Sequence, residues 1–153
     1  MKRIILAAAL MAATMTTGAR AETVWIGNVF VDSVTGPCTS TFGVGDFYRG
    51  VFRPRGAPLG NGVDSYLSLV GTRAGIVMRV PADTFKAGEI YQQVSVSTNV
   101  AIGNTPNGSV AAWAQTPPTP AANSPTVRIS GTVMNFFRIA GCEVGLRGNL
   151  IRR

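Results

Sequence analysis

The sequence predicts an all-β protein, either a small antiparallel sandwich or a closed barrel of about eight strands, with one disulfide. Two observations support this fold class. The 153-residue chain, with 18 Gly and 9 Pro, consists of short runs of β-forming residues between turns, and no long segment has helical periodicity. Its two cysteines, Cys38 and Cys142, form an even pair far apart in the chain.

Eight short runs of residues are predicted to be strands, and turn residues recur between them. They cover residues 23–31, 47–53, 64–72, 75–80, 89–102, 109–115, 126–137 and 142–151. The fifth run alternates most clearly, since one parity carries Val94, Val96, Thr98, Val100 and Ile102. The last run is predicted to face inward through Cys142, Val144, Leu146 and Leu150.

Three segments between these runs are predicted to be irregular. Residues 53–63 carry two Pro and three Gly, and residues 116–125 carry four Pro, so both are predicted to be loops. Residues 81–86 begin with a proline and are predicted to form one short helical turn.

The first 21 residues have the pattern of a cleaved secretory signal peptide. Lys2 and Arg3 provide the positive charge, residues 4–13 form an apolar run of ten, and Ala19 and Ala21 have the small side chains that signal peptidase requires. A membrane anchor would need about 20 consecutive apolar residues. We therefore expect one β domain at residues 22–153, exported to the periplasm or the extracellular space.

Removal of this signal would change the charge of the protein. Lys2, Arg3 and Arg20 would leave, so that eleven basic and seven acidic residues remain and the net charge falls from +7 to +4. A weak positive charge does not favour a nucleic-acid partner, and we expect no membrane association after cleavage. In an oxidising compartment Cys38 and Cys142 are expected to form a disulfide.

The absence of histidine from the sequence excludes many kinds of active site. Serine and cysteine hydrolases that use a histidine base, and zinc or haem sites with imidazole ligands, all require this residue. Phosphate-binding, dinucleotide-binding and nucleophile-elbow motifs are also missing from residues 22–153. The sequence therefore identifies no catalytic residue, no metal ligand and no cofactor.

Three arginines are the candidate anion-binding residues. Arg49, Arg53 and Arg55 have the same parity on a predicted strand and would project from one face with Val51. They could bind phosphate or carboxylate groups, but a solvated outer face that discourages pairing with another strand is the simpler interpretation.

The remaining candidates are carboxylates and aromatic rings. A pair of carboxylates could support hydrolysis, although turn positions suit aspartate without any catalytic role. The candidates are Asp32, Asp46, Asp64, Asp83, Glu89 and Glu143. Aromatic side chains could line a ligand cavity or pack in the core. These are Trp25, Tyr48, Tyr66, Tyr91 and Trp113.

The sequence favours a non-enzymatic exported domain with a binding or structural role. Its partner would be a small ligand, a glycan or another protein. Two alternatives stay open at this point: an eight-stranded outer-membrane barrel, and a hydrolase that uses two carboxylates.

Overall fold

A computed structural model describes residues 23–53, 64–80, 87–97, 100–105, 107–118, 120–121 and 123–153. Eight antiparallel strands form a closed barrel in which each strand pairs with the next and β8 pairs with β1. The all-β prediction is confirmed, and the barrel is the correct one of its two alternatives. Within these ranges no helix is long and apolar enough to span a membrane.

The strands follow chain order around the barrel. They are β1 (Trp25–Thr35), β2 (Phe47–Arg53), β3 (Ser65–Val70), β4 (Ala74–Val80), β5 (Gly88–Val96), β6 (Asn107–Thr116), β7 (Thr126–Met134) and β8 (Glu143–Arg152). Two short 3-10 turns, Gly36–Cys38 and Phe136–Arg138, follow β1 and β7.

The barrel interior is filled by apolar side chains from every strand. Because side chains alternate between the two faces of a strand, one parity of each strand points inward. An eight-stranded barrel is just wide enough for such side chains to fill it. The buried residues include Trp25, Val29, Phe52, Leu67, Leu69, Ile76, Met78, Ile90, Val110, Val127, Ile129, Val133, Val144, Leu146 and Leu150.

One end of the barrel is closed by four aromatic side chains, which we call the aromatic plug: Phe42, Tyr48, Phe136 and Phe137. The ring centroids of Phe42 lie 5.2 Å from Phe136 and 5.0 Å from Phe137. The centroids of Phe136 and Phe137 are 4.9 Å apart, and Tyr48 meets Phe136 edge-on at 6.4 Å. These tilted and edge-on contacts are the preferred geometry for aromatic pairs.

A tight turn after β7 places two of the plug rings inside the barrel. Asn135 has φ 55° and ψ 38°, in the left-handed region where asparagine is one of the better tolerated residues. Its side-chain Oδ1 accepts the Gly141 N–H at 2.9 Å, and its carbonyl accepts Nε2 of Gln92 at 2.9 Å. The predicted strand 126–137 was therefore too long, because the chain leaves the sheet at Met134.

The predicted disulfide between Cys38 and Cys142 is present and fully buried. It joins the turn after β1 to the residue that precedes β8, next to the aromatic plug. Gly36 is required beside it, because its φ is +80° and a Cβ atom there would overlap the Gly141 carbonyl. The cross-link therefore holds together the two loops that carry Phe42, Phe136 and Phe137.

The predicted strand at 89–102 was also too long, since β5 ends at Val96. The Ser97 N–H still donates to the Arg73 carbonyl at 2.9 Å, one residue pair beyond the last register pair of β4 and β5, Ala74 with Val96. Val96 and Ile102 are 42% and 41% exposed, so the predicted inward parity does not continue to the end of the run. The predicted helical turn 81–86 and residues 54–63 of the first loop lie outside the described residues.

Replacement of both cysteines by alanine should destabilise the barrel strongly. The bond closes a loop with a sequence separation of 104 residues, for which loop-closure entropy gives about 4 to 5 kcal/mol. We expect a loss of this size in the free energy of unfolding, measured by urea denaturation. A double variant with the stability of the wild type would show that the bond does not constrain the unfolded chain.

Candidate functional site

A groove of about 1070 Å³ lies on the outer wall of the barrel. Its floor is formed by the outward faces of β8, β1 and β2, and it continues to the turn between β3 and β4 and the loop before β2. The groove arises where the first strand of the chain is paired on one side with the second strand and on the other with the last.

A row of three polar side chains crosses the floor of this groove, and we call it the polar row. Asn28 in β1 is the register partner of Arg49 in β2 and of Asn149 in β8. All three residues are exposed. Because they occupy register-paired positions on adjacent strands, their side chains project side by side from the same face.

Apolar side chains flank the polar row on both sides. Phe30 and Phe47 are register partners on β1 and β2, and they are 43% and 62% exposed. On the other side of the row, Ile26 is the register partner of Ile151 on β8. All four line the groove, so it combines an apolar surface with a polar centre.

Two further arginines line the groove away from the polar row. Arg73 lies in the β3–β4 turn, where its carbonyl accepts both the N–H and the Oγ hydroxyl of Ser97 at 2.9 Å. Arg153 follows β8, and its N–H donates to the Val24 carbonyl at 2.9 Å. These backbone contacts fix the positions from which the two guanidinium groups extend.

The aromatic plug reaches the groove through Phe42 and Tyr48, and Tyr48 is 7% exposed. Burial raises the pKa of its hydroxyl from 10.0 to about 12, and the negative charge of Asp46 adds to this shift, whereas Arg73 opposes it. Tyr48 is therefore a neutral phenol at ordinary pH, able to donate a hydrogen bond but not to act as a base.

The three arginines predicted to form one site lie in different surroundings. Arg49 is exposed in the groove, whereas Arg53 is half-buried and does not line it. Arg55 lies outside the described residues. Tyr48 and Phe52, which alternate with these arginines on β2, are buried. A role of Arg49, Arg53 and Arg55 as a common anion site stays a prediction.

The candidate carboxylates are scattered over the barrel. Asp46 lines the groove, and its Oδ2 accepts the Gly43 N–H at 2.8 Å, the local contact expected of a turn aspartate. Asp64 is buried, with its Oδ2 3.5 Å from Nε of Arg79. Glu89 accepts the Asn107 amide at 3.0 Å. Asp32 and Glu143 do not line the groove, and Asp83 lies outside the described residues.

The candidate aromatic residues do not form a common cavity. Trp25 and Tyr48 are buried at different positions in the barrel, and the indole N–H of Trp25 donates to the Ser124 carbonyl at 2.9 Å. Tyr66 and Trp113 are half-buried. Tyr91 lies on the outer wall with the Arg79 guanidinium 5.2 Å from its ring centroid. In this fold these aromatic residues mainly pack against neighbouring side chains of the barrel.

Sequence reasoning missed most of the groove. Phe30 and Phe47 occur in predicted strands, and their outward parity could have drawn attention to them. Pairing between the first and last strands brings Asn149 next to Asn28 and Ile151 next to Ile26. No local pattern reveals that pairing, since it requires the barrel to close.

In comparisons with known proteins, no family model matches the chain, and no curated protein or solved structure matches it. What the groove binds must therefore be inferred from its own side chains.

The raised pKa of Tyr48 predicts a loss of stability at high pH. In the unfolded chain this hydroxyl ionises near pH 10, whereas the folded protein keeps its proton to about pH 12. The stabilisation is complete below pH 10 and is lost as the pH rises to 12, by about 2 to 3 kcal/mol in all. Urea denaturation across this pH interval measures the loss.

Tyr48→Phe should remove most of this pH dependence, because phenylalanine has no proton to lose. Tyr91→Phe is the matched control, since Tyr91 lies on the outer wall, and it should retain the loss. The same decline in the Tyr48→Phe variant as in the wild type would show that another group is responsible.

Proposed function

We propose that this protein is a non-enzymatic binding protein that holds its partner in the groove on the outer wall. The observation that supports this most directly is the contrast between the two faces of the sheet. The inward face is packed with apolar side chains, whereas the outward face of β8, β1 and β2 forms a concave surface with exposed aromatic rings beside polar groups. Concave, largely apolar surfaces with a few convergent polar groups are typical of ligand sites.

The packed interior argues against binding inside the barrel. Small barrels that carry a ligand leave a central cavity for it. Here the centre holds large side chains such as Phe52, Leu67 and Met78, each 0% exposed. The aromatic plug covers one end. A ligand of any size would have to displace this core, at a cost of several kcal/mol for each buried side chain.

The arrangement of the two faces also argues against an outer-membrane barrel. Such barrels have an apolar outer band and a polar interior. This barrel has an apolar interior, and its outer face carries Arg49, Arg79, Arg128 and Arg147 within strands. Strands β2 and β3 have 7 and 6 residues, fewer than the roughly 9 to 11 that a bilayer requires.

A hydrolase with two carboxylates receives little support from the groove. Hydrolysis of a glycosidic bond needs two carboxyl groups on opposite sides of that bond. Asp46 is the acidic residue among the described residues that line the groove, and it already accepts a hydrogen bond from its own turn. We therefore propose recognition rather than catalysis.

The disulfide is consistent with an oxidising environment outside the cytoplasm, where such bonds form and persist. We propose that residues 1–21 are a signal peptide that takes the protein there and that residues 22–153 are one domain. The signal-like pattern at the N-terminus and the buried bond support this proposal independently.

The proposed binding surface can be tested with an uncharged fluorescent hydrocarbon probe, N-phenylnaphthylamine. We expect the folded protein to enhance its emission, and Phe47→Ala to weaken its binding about fivefold through the loss of apolar contact. Tyr91→Ala is the matched control, since Tyr91 is also exposed on the outer wall but does not line the groove.

Equal weakening by Phe47→Ala and Tyr91→Ala would show that the probe does not select the groove. Failure of the wild-type protein to bind the probe would contradict the proposed function itself.

Export makes a separate prediction about the N-terminus. Protein recovered from outside the cytoplasm should begin at Glu22, because Ala19 and Ala21 fit the small positions before the cut. Mass spectrometry of the intact protein measures this directly. Recovery of the entire chain from the cytoplasm alone would contradict export.

A further inference from the structure

The groove has an unbalanced charge. Three arginines line it, namely Arg49, Arg73 and Arg153, and all three are exposed. Asp46 also lines the groove and carries the opposite charge, and its Oδ2 accepts a hydrogen bond from the Gly43 N–H. Within the described part of the chain no carboxylate forms an ion pair with Arg49. A surface with this excess of positive charge attracts anions.

The polar row has the geometry of a donor array. Strands in a sheet lie about 4.8 Å apart, so Asn149, Asn28 and Arg49 span about 10 Å across three strands. Each asparagine amide offers two N–H donors, and the guanidinium of Arg49 offers a planar fork that matches a carboxylate or phosphate. An oxyanion above Asn28 would lie within reach of donors on both sides.

The apolar side chains on both sides of the groove favour a ligand that carries hydrocarbon as well as an anionic group. Phe30 and Phe47 lie on one side of the polar row, and Ile26 and Ile151 lie on the other. A free phosphate or carboxylate ion would leave these side chains in water. A ligand with hydrocarbon next to its anionic group would cover them and gain the free energy of apolar burial.

A neutral sugar fits less well. Sugar hydroxyls donate as well as accept hydrogen bonds, and they need acceptors such as carboxylates in the site. The three guanidinium groups of the groove only donate, so its donors outnumber the acceptors that Asn28, Asn149 and Asp46 offer. The volume of about 1070 Å³ is slightly larger than the range of small-molecule sites, roughly 300 to 1,000 Å³.

We propose that the ligand of the groove is an anionic amphiphile, a small molecule in which a carboxylate, phosphate or sulfonate group adjoins an apolar group. Its oxyanion lies on the polar row with Arg49 as the main charged contact, and its hydrocarbon covers Phe30 and Phe47. This inference rests on the proposed function, because it assigns the chemistry of the ligand that the same groove holds.

A pair of probes that differ in charge tests the proposal. Anilinonaphthalene sulfonate carries a sulfonate, whereas N-phenylnaphthylamine is its uncharged analogue. We expect the wild-type protein to bind the sulfonate about tenfold more tightly than the neutral probe, since a charge-assisted contact is added. Added salt should weaken the binding of the sulfonate probe but not that of the neutral probe.

Substitutions then locate the charged contact. Arg49→Gln should weaken sulfonate binding about tenfold and change the affinity for the neutral probe by less than about twofold. Arg128→Gln is the matched control, because Arg128 continues the same register row on β7, is exposed, and does not line the groove. It removes the same charge from the protein and should change sulfonate binding by less than about twofold.

Three results would overturn the proposal. Equal affinities for the two probes in the wild type, with no effect of Arg49→Gln, would leave the groove a binding surface without preference for anions. Equal effects of Arg49→Gln and Arg128→Gln would show that the sulfonate is held by the overall positive charge of the protein and not by a local contact with Arg49. Failure of both probes to bind would remove the proposed function and this inference together.

Discussion

The packed interior of the barrel is the constraint on which the rest of the structure depends. Every strand contributes an inward apolar side chain, and the aromatic plug fills the end where β1, β2, β7 and β8 meet. The disulfide between Cys38 and Cys142 holds the loops that carry three rings of the plug, Phe42, Phe136 and Phe137. Because the interior serves stability, any recognition by this barrel is proposed to take place on its outer wall.

Closure of the barrel also creates the proposed site. Strand β1 pairs with β2 and with β8, so residues from both ends of the chain meet on one outward face. The polar row consists of one residue from each of these strands. The flanking pairs, Phe30 with Phe47 and Ile26 with Ile151, follow from the same two registers. The barrel thus acts as a rigid support for a surface that no single hairpin could form.

Much of the fold was predictable because its signals are local. Strand β2 has the predicted bounds, and Arg49, Val51 and Arg53 lie on one face of it, as their shared parity predicts. The disulfide followed from an even cysteine count in a chain whose first 21 residues are predicted to be an export signal. The turn at Asn135 was not predicted, since its left-handed backbone interrupts a run that otherwise has strand character. The groove was not predicted either, because the contact of Asn28 with Asn149 depends on pairing between the ends of the chain.

The position at which a ligand binds is the decisive quantity, and solution NMR can measure it. The isotope-labelled protein would be titrated with anilinonaphthalene sulfonate while amide and methyl resonances are followed. If the ligand binds in the groove, the largest shifts occur at Asn28, Arg49 and Asn149, while the inward methyl groups of Leu67 and Met78 stay unchanged. Large shifts at Leu67 and Met78 without change in the polar row would place the ligand inside the barrel and contradict binding on the outer wall.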